Sequence, residues 1–88
     1  MADELEAFVL SVGTRIQRIR EARGLSRRDL GVAIGLNEQS ANPGIHGVET
    51  GGRATQIDTL YRIATALDVS PGFLLDGGSL EIVRKVDV

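Results

Sequence analysis

The chain has no cysteine and only one histidine among its 88 residues. Without cysteine it has neither a disulfide framework nor a cysteine-based zinc site, and one histidine cannot build a histidine-rich metal or catalytic site. We therefore expect no metal or cofactor. The fold must be held together by packing, and a hydrophobic content of 42% in 9.4 kDa is enough for the core of one small domain.

The sequence also lacks a long apolar run. None approaches the ~18 residues that a membrane span needs, and the acidic start, MADELEAF, lacks the basic region of a secretory signal. A cytoplasmic location without membrane contact is the default expectation. Catalytic patterns are missing too, because there is no plausibly spaced Ser-His-Asp set, no P-loop and no convergent carboxylate pair. An enzyme is not expected.

Charge is unevenly distributed along the chain. The net charge is −2 and the pI is near 5.3, yet residues 13–62 hold eight arginines against five acidic residues. Acidic residues gather at both ends: Asp3, Glu4, Glu6, Asp76, Glu81 and Asp87. The basic centre is compatible with phosphate contact, but the acidic total predicts that any electrostatic, sequence-independent affinity for nucleic acid is weak.

Apolar residues recur every three or four positions over most of the chain, which predicts helices. We expect an N-terminal arm at 3–10 and a main helix at 12–23, divided near Gly13, and further helices at 27–34, at 57–67 and from Pro71 to Gly77. The residues predicted to face the core in the second to fourth helices are Leu30, Ala33, Ile34, Ile45, Val48, Ile57, Leu60, Ile63, Ala64 and Leu67.

The last ten residues, SLEIVRKVDV, have a different pattern. Apolar and β-branched residues alternate with charged ones there, which weakly favours an extended strand. An isolated strand is not stable, so this strand would pair with a copy from a second subunit; a frayed tail is the alternative. The predicted organisation is one domain, 1–88, with an arm at 1–11, a core at 12–77 and a tail at 78–88.

Residues 24–51 carry the most informative pattern. Ser26 and Asp29 form a short-acid variant of a capping box that opens a helix, and Gly35 ends that helix before the apolar Leu36. Gly31 leaves room for a following helix to cross closely. The pattern predicts two short helices joined by a glycine turn, as in a helix-turn-helix.

Three segments resemble the five-helix Cro and lambda-repressor-like DNA-binding domains, often called the XRE family. They are VGTRIQRIREARGLSRRDLGVAIGL, IHGVETGGR and IDTLYRIATALDVSPGFLLDG. The resemblance covers about residues 12–77 and implies an all-α, five-helix fold. It also implies a bacterial or phage transcriptional regulator, a repressor that binds a palindromic operator in double-stranded DNA as a homodimer. The dimer would use either the tail strand or the fifth helix around Phe73 and Leu74.

The resemblance suggests roles for several charged residues. Arg20 and Glu49 occupy positions that form a partly buried ion pair in the family, and a structural role is more plausible than DNA contact because an unpaired buried charge is costly. Arg27, Arg28 and Arg53 occupy places where family members contact phosphate. For Arg27 and Arg28 the alternative is a solvated pair beside Asp29.

The sequence departs from the family pattern between Gly35 and Ile45, where nine residues, LNEQSANPG, replace about five. Because proline is favoured in the first turn of a helix, we expect Asn42 to cap a helix that begins at Pro43, preceded by a separate loop. Amide and hydroxyl side chains can read base edges. The candidate base-contacting residues are Asn37, Gln39, Ser40, Asn42 and His46.

Some substitutions favour a second function. Gly47 stands where the family usually has a long polar side chain, and the presumed DNA-facing segment has no lysine. Glu38 would lie unfavourably near phosphate unless it accepts a hydrogen bond from cytosine or faces away from the DNA. The alternative is an antitoxin-like, protein-interaction module on the same fold, with a protein partner held by the acidic arm or apolar tail. No small-molecule effector is expected, since there is no second domain to hold one.

Overall fold

The computed structural model describes residues 2–52 and 55–77. Within these residues the chain forms five α-helices and no strand: α1 (Ala2–Ala22), α2 (Arg27–Ala33), α3 (Glu38–Glu49), α4 (Ile57–Leu67) and α5 (Pro71–Asp76). The predicted all-α, five-helix fold is confirmed. The predicted tail strand and Arg53 lie outside the described residues.

Local hydrogen bonds fix both ends of α2. The Ser26 Oγ accepts from the Asp29 backbone N–H at 2.9 Å, and the Asp29 carboxylate accepts from the Ser26 N–H at 3.2 Å. These two bonds are the predicted capping box. At the other end the Leu36 N–H donates to the Gly31 carbonyl at 2.9 Å, which closes the helix just past Gly35.

The predicted division of the N-terminal helix at Gly13 is wrong, because α1 runs unbroken from Ala2 to Ala22. Gly13 is instead where α1 crosses the end of α3. A Cβ atom at this position would lie 2.3 Å from the Val48 carbonyl oxygen and 2.7 Å from that of Glu49. One glycine inside α1 costs about 1 kcal/mol of helix propensity. Because Gly13 has no side chain, the backbones of α1 and α3 can come into contact.

The predicted start of α3 is also wrong. Asn37, not Asn42, is the N-cap, and its Oδ1 accepts from the Ser40 backbone N–H at 2.8 Å. Pro43 lies inside the helix. Four extra residues add about one helical turn, so they lengthen α3 and keep Ala41 on the buried face, one turn before Ile45.

The core lies between all five helices and consists of aliphatic side chains. Its buried members include Val12, Ile16, Leu30, Ile34, Ile45, Val48, Leu60, Ile63, Leu67 and Leu74. Two predicted core residues are exposed, Ala33 and, at 85% exposure, Ile57. Ile57 is the first residue of α4 and lies at the edge of its apolar face, where the helical pattern matches but none of the described helices covers the side chain.

The crossing of α2 and α3 depends on Gly31. A Cβ atom there would lie 2.5 Å from the Cβ of Ala41 and 2.6 Å from its Cα, well inside van der Waals contact. The predicted close crossing is confirmed. Because Ala41 is fully buried against Gly31, this contact sets the separation of the two helices.

We predict that Gly13→Ala lowers the free energy of unfolding by about 1–3 kcal/mol, because the added methyl group meets backbone carbonyls that cannot move aside without shifting a helix. Urea unfolding monitored by circular dichroism measures this change. Gly72→Ala is the matched control, because a Cβ atom there meets nothing within 4 Å. Equal stability of the two variants would contradict the close crossing.

Candidate nucleic-acid interface

The helices α2 and α3 form a helix-turn-helix. They pack more extensively against each other than does any other pair of described helices, and residues 34–37 connect them. One side of α3 is buried through Ala41, Ile45, Val48 and Glu49. The opposite side is free of contacts with the core, so it is the surface that α3 offers to a ligand.

All five candidate base-contacting residues are exposed. Gln39 and His46 lie seven residues apart and therefore share one face, two turns apart, with the exposed Pro43 between them. Ser40 and Asn42 flank this line on opposite sides. Asn37 differs from the others because its Oδ1 caps α3, so its side-chain NH₂ group is the part that remains for a base edge.

A buried carboxylate fixes α3 to the two preceding helices. The Glu49 side chain has no solvent exposure, and its Oε2 accepts from Arg20 Nε at 2.6 Å. Arg20 Nη1 also donates to the Leu25 carbonyl at 2.8 Å, in the turn before α2. Charge-assisted bonds of this length are the strong kind, and burial makes the loss of either partner costly.

Arg27 joins the same cluster. Its Nε donates to Glu49 Oε1 at 3.0 Å, and its side chain is 32% exposed. Glu49 therefore binds one arginine from α1 and one from α2. Part of the Arg27 side chain stays exposed and can bind an anion, while the contact with Glu49 fixes its position.

Arg28 is held more loosely. Its Nη2 lies 2.9 Å from Glu38 Oε1, in a pair whose side chains are 59% and 71% exposed. Exposed pairs of this kind contribute about 0–1 kcal/mol. The pair bridges the start of α2 and the start of α3, on the rim of the exposed face.

Comparison with known proteins identifies the family. Residues 16–74 match the profile of the family described as helix-turn-helix. The chain belongs to the XRE family of helix-turn-helix DNA-binding domains. The restriction-modification controller protein C.AhdI from Aeromonas hydrophila has a similar solved structure, with 34% sequence identity and a TM-score of 0.68. The match covers 77% of this chain and 97% of that one. A search of curated proteins finds no match.

Membership of the XRE family supports a DNA-binding role in transcription regulation and points away from an enzyme. None of the described helices is long and apolar enough to cross a membrane. Within residues 2–52 and 55–77, acidic side chains and the histidine form no group of three or more that could hold a metal ion.

Sequence reasoning missed two contacts of this candidate interface, Arg27 with Glu49 and Arg28 with Glu38. Each joins residues that are far apart in the chain and lie in different helices, so no spacing rule reveals them. For Arg28 the start of α3 had to be known, because Glu38 comes within reach only as the first residue of a lengthened helix.

We predict that Arg20→Met lowers the free energy of unfolding by about 3 kcal/mol, because Glu49 keeps its burial and loses its closest partner. Arg28→Met is the matched control and should cost less than about 1 kcal/mol, since its pair is exposed. Chemical denaturation of both variants gives the comparison. Similar losses for the two would show that the buried cluster has no special weight.

Proposed function

We propose that this chain is a cytoplasmic transcriptional repressor that binds a palindromic operator as a homodimer and blocks access of RNA polymerase. Each subunit would insert the N-terminal half of α3 into the major groove, with half-sites about one helical turn (~34 Å) apart. The observation that carries the proposal is the exposed polar face of α3. On the buried side of the same helix, Glu49 binds Arg20 of α1.

The side chains on this face suit base reading. Gln39 and Asn42 carry amides that can pair with adenine, and Asn37 keeps an NH₂ group that can donate to a base edge. Ser40 and His46 can donate or accept hydrogen bonds. Gln39 and Ser40 lie in the first turn of α3, the part of a recognition helix that reaches deepest toward base edges.

Phosphate contacts would come from Arg27, Arg28 and Arg53. Arg27 and Arg28 lie in the first turn of α2, where the helix N-terminus also favours an anion. The contact of Arg27 with Glu49 limits its rotamers, so less conformational entropy is lost when it meets a phosphate.

The homodimer would use apolar surface around α5. Leu74 is fully buried and therefore unavailable, but its neighbours Phe73 and Leu75 are 38% and 40% exposed. Leu75 also lines a groove of about 130 Å³ together with Leu5 and Phe8 of α1. Contiguous apolar surface of this kind is typical of an interaction site.

A protein-binding role is the second candidate. Ile57 and Tyr61 are 85% and 63% exposed and lie one turn apart on α4. Apolar surface there could hold a partner even if DNA binding is weak. Both candidates use the same fold, so a binding measurement distinguishes them.

The first test is a titration against the DNA upstream of the protein's own gene, beside a random duplex, at two salt concentrations. We predict a preference of ~10³ or more for the upstream DNA. Gln39→Ala should reduce this preference about 5- to 100-fold, while Gln17→Ala on α1 should leave it unchanged. Weak and equal binding to both duplexes would favour the protein-binding role instead.

The dimer is tested by measuring mass in solution for Leu75→Glu and for a chain lacking residues 79–88. We expect the charged variant to be a monomer and the shortened chain to remain a dimer, because the exposed apolar surface lies on α5 and α1. The opposite result would assign the contact to the tail.

A further inference from the structure

Two adjacent arginines at the start of α2 are bound in different ways. Arg27 is fixed to Glu49, whose side chain is completely buried. Arg28 is paired only with Glu38, and both partners are largely exposed. An exposed ion pair is weak, so Arg28 can leave Glu38 for a phosphate, with which Arg forms strong, often bidentate pairs, wherever the carboxylate gains another hydrogen-bond donor. Of the two, Arg28 is the one free to exchange its partner when DNA approaches.

That exchange has a consequence for Glu38. As the first residue of α3, Glu38 lies at the end of the helix that would enter the groove. When Arg28 turns to a phosphate, the Glu38 carboxylate loses its cation in a region of strong negative potential. The repulsion is relieved only where a base edge offers a donor, and in the major groove the donor suited to a carboxylate is the cytosine amino group.

We propose that Glu38 is a specificity-determining residue that acts through Arg28. On non-cognate DNA it retains Arg28 and withholds one phosphate contact; at a site with a suitably placed cytosine it releases Arg28 and gains a base contact. A charge that penalises the wrong partner is a common source of specificity. The inference rests on the proposed DNA-binding function and adds a residue to it.

The test is the affinity of Glu38→Gln for a random-sequence duplex, measured by fluorescence anisotropy at several salt concentrations. We expect binding about three- to tenfold tighter than that of the unmodified chain. The slope of log K against log salt should become steeper by about 0.9, the increment for one added phosphate contact. Glu6→Gln, on the first turns of α1, removes the same charge away from α2 and α3 and is the matched control.

The double variant Glu38→Gln/Arg28→Gln decides whether the effect passes through Arg28. It should lose both the tighter binding and the steeper slope. A gain that persists in the double variant, or that Glu6→Gln reproduces, overturns the proposal because net charge alone would explain it. An unchanged affinity and slope for Glu38→Gln also overturns it.

Binding by the unmodified chain distinguishes a failure of the proposed DNA-binding function from a failure of the proposed role of Glu38. If that chain shows no preference for the DNA upstream of its gene over random duplex, the proposed function fails. The effect of Glu38→Gln on random duplex is still measured in that case, and its result decides the role of the pair separately.

Discussion

The buried Glu49 carboxylate is the interaction on which the interface depends. It lies near the C-terminal end of α3 and binds Arg20 from α1 and Arg27 from α2, so one side chain joins three helices. A buried carboxylate tolerates few arrangements, because both oxygens need hydrogen-bond donors in the correct direction. The cluster therefore restricts how α3 can shift relative to α1 and α2, in addition to the packing of the aliphatic core.

Close backbone contact complements this charge cluster. Gly13 lets α1 touch the last carbonyls of α3, and Gly31 lets α2 touch Ala41 near its beginning. Close backbone contacts therefore hold α3 at two places, one near each of its ends. Polar residues on the other side then project from a rigid support, which is the condition for reading base edges with side chains of modest length.

Much of this architecture could be predicted from sequence, and the failures have physical causes. The capping residues Ser26 and Asp29 act locally, so their pattern is visible in the chain. Gly13 was misread as a break because a glycine that permits a helix crossing looks the same as one that ends a helix. The predicted start of α3 is wrong because the preference of proline for the first turn of a helix favoured a start at Pro43. The cap formed by Asn37 is an equally local signal that favours the earlier start. The ion pair of Arg20 with Glu49 could be anticipated only from the family resemblance. The pairs of Arg27 and Arg28 depend on tertiary structure, and no spacing rule reveals them.

Pro43 leaves α3 one backbone hydrogen bond short. Since proline has no N–H, the backbone bond that would link residue 43 to the Gln39 carbonyl cannot form. The turn that begins with the Asn37 cap is joined to the rest of the helix by fewer bonds than an ordinary turn, but the fully buried Ala41 packs against Gly31 and holds this turn in place. Packing against α2, and not backbone bonding alone, therefore keeps Gln39 and Ser40 on the same face as His46.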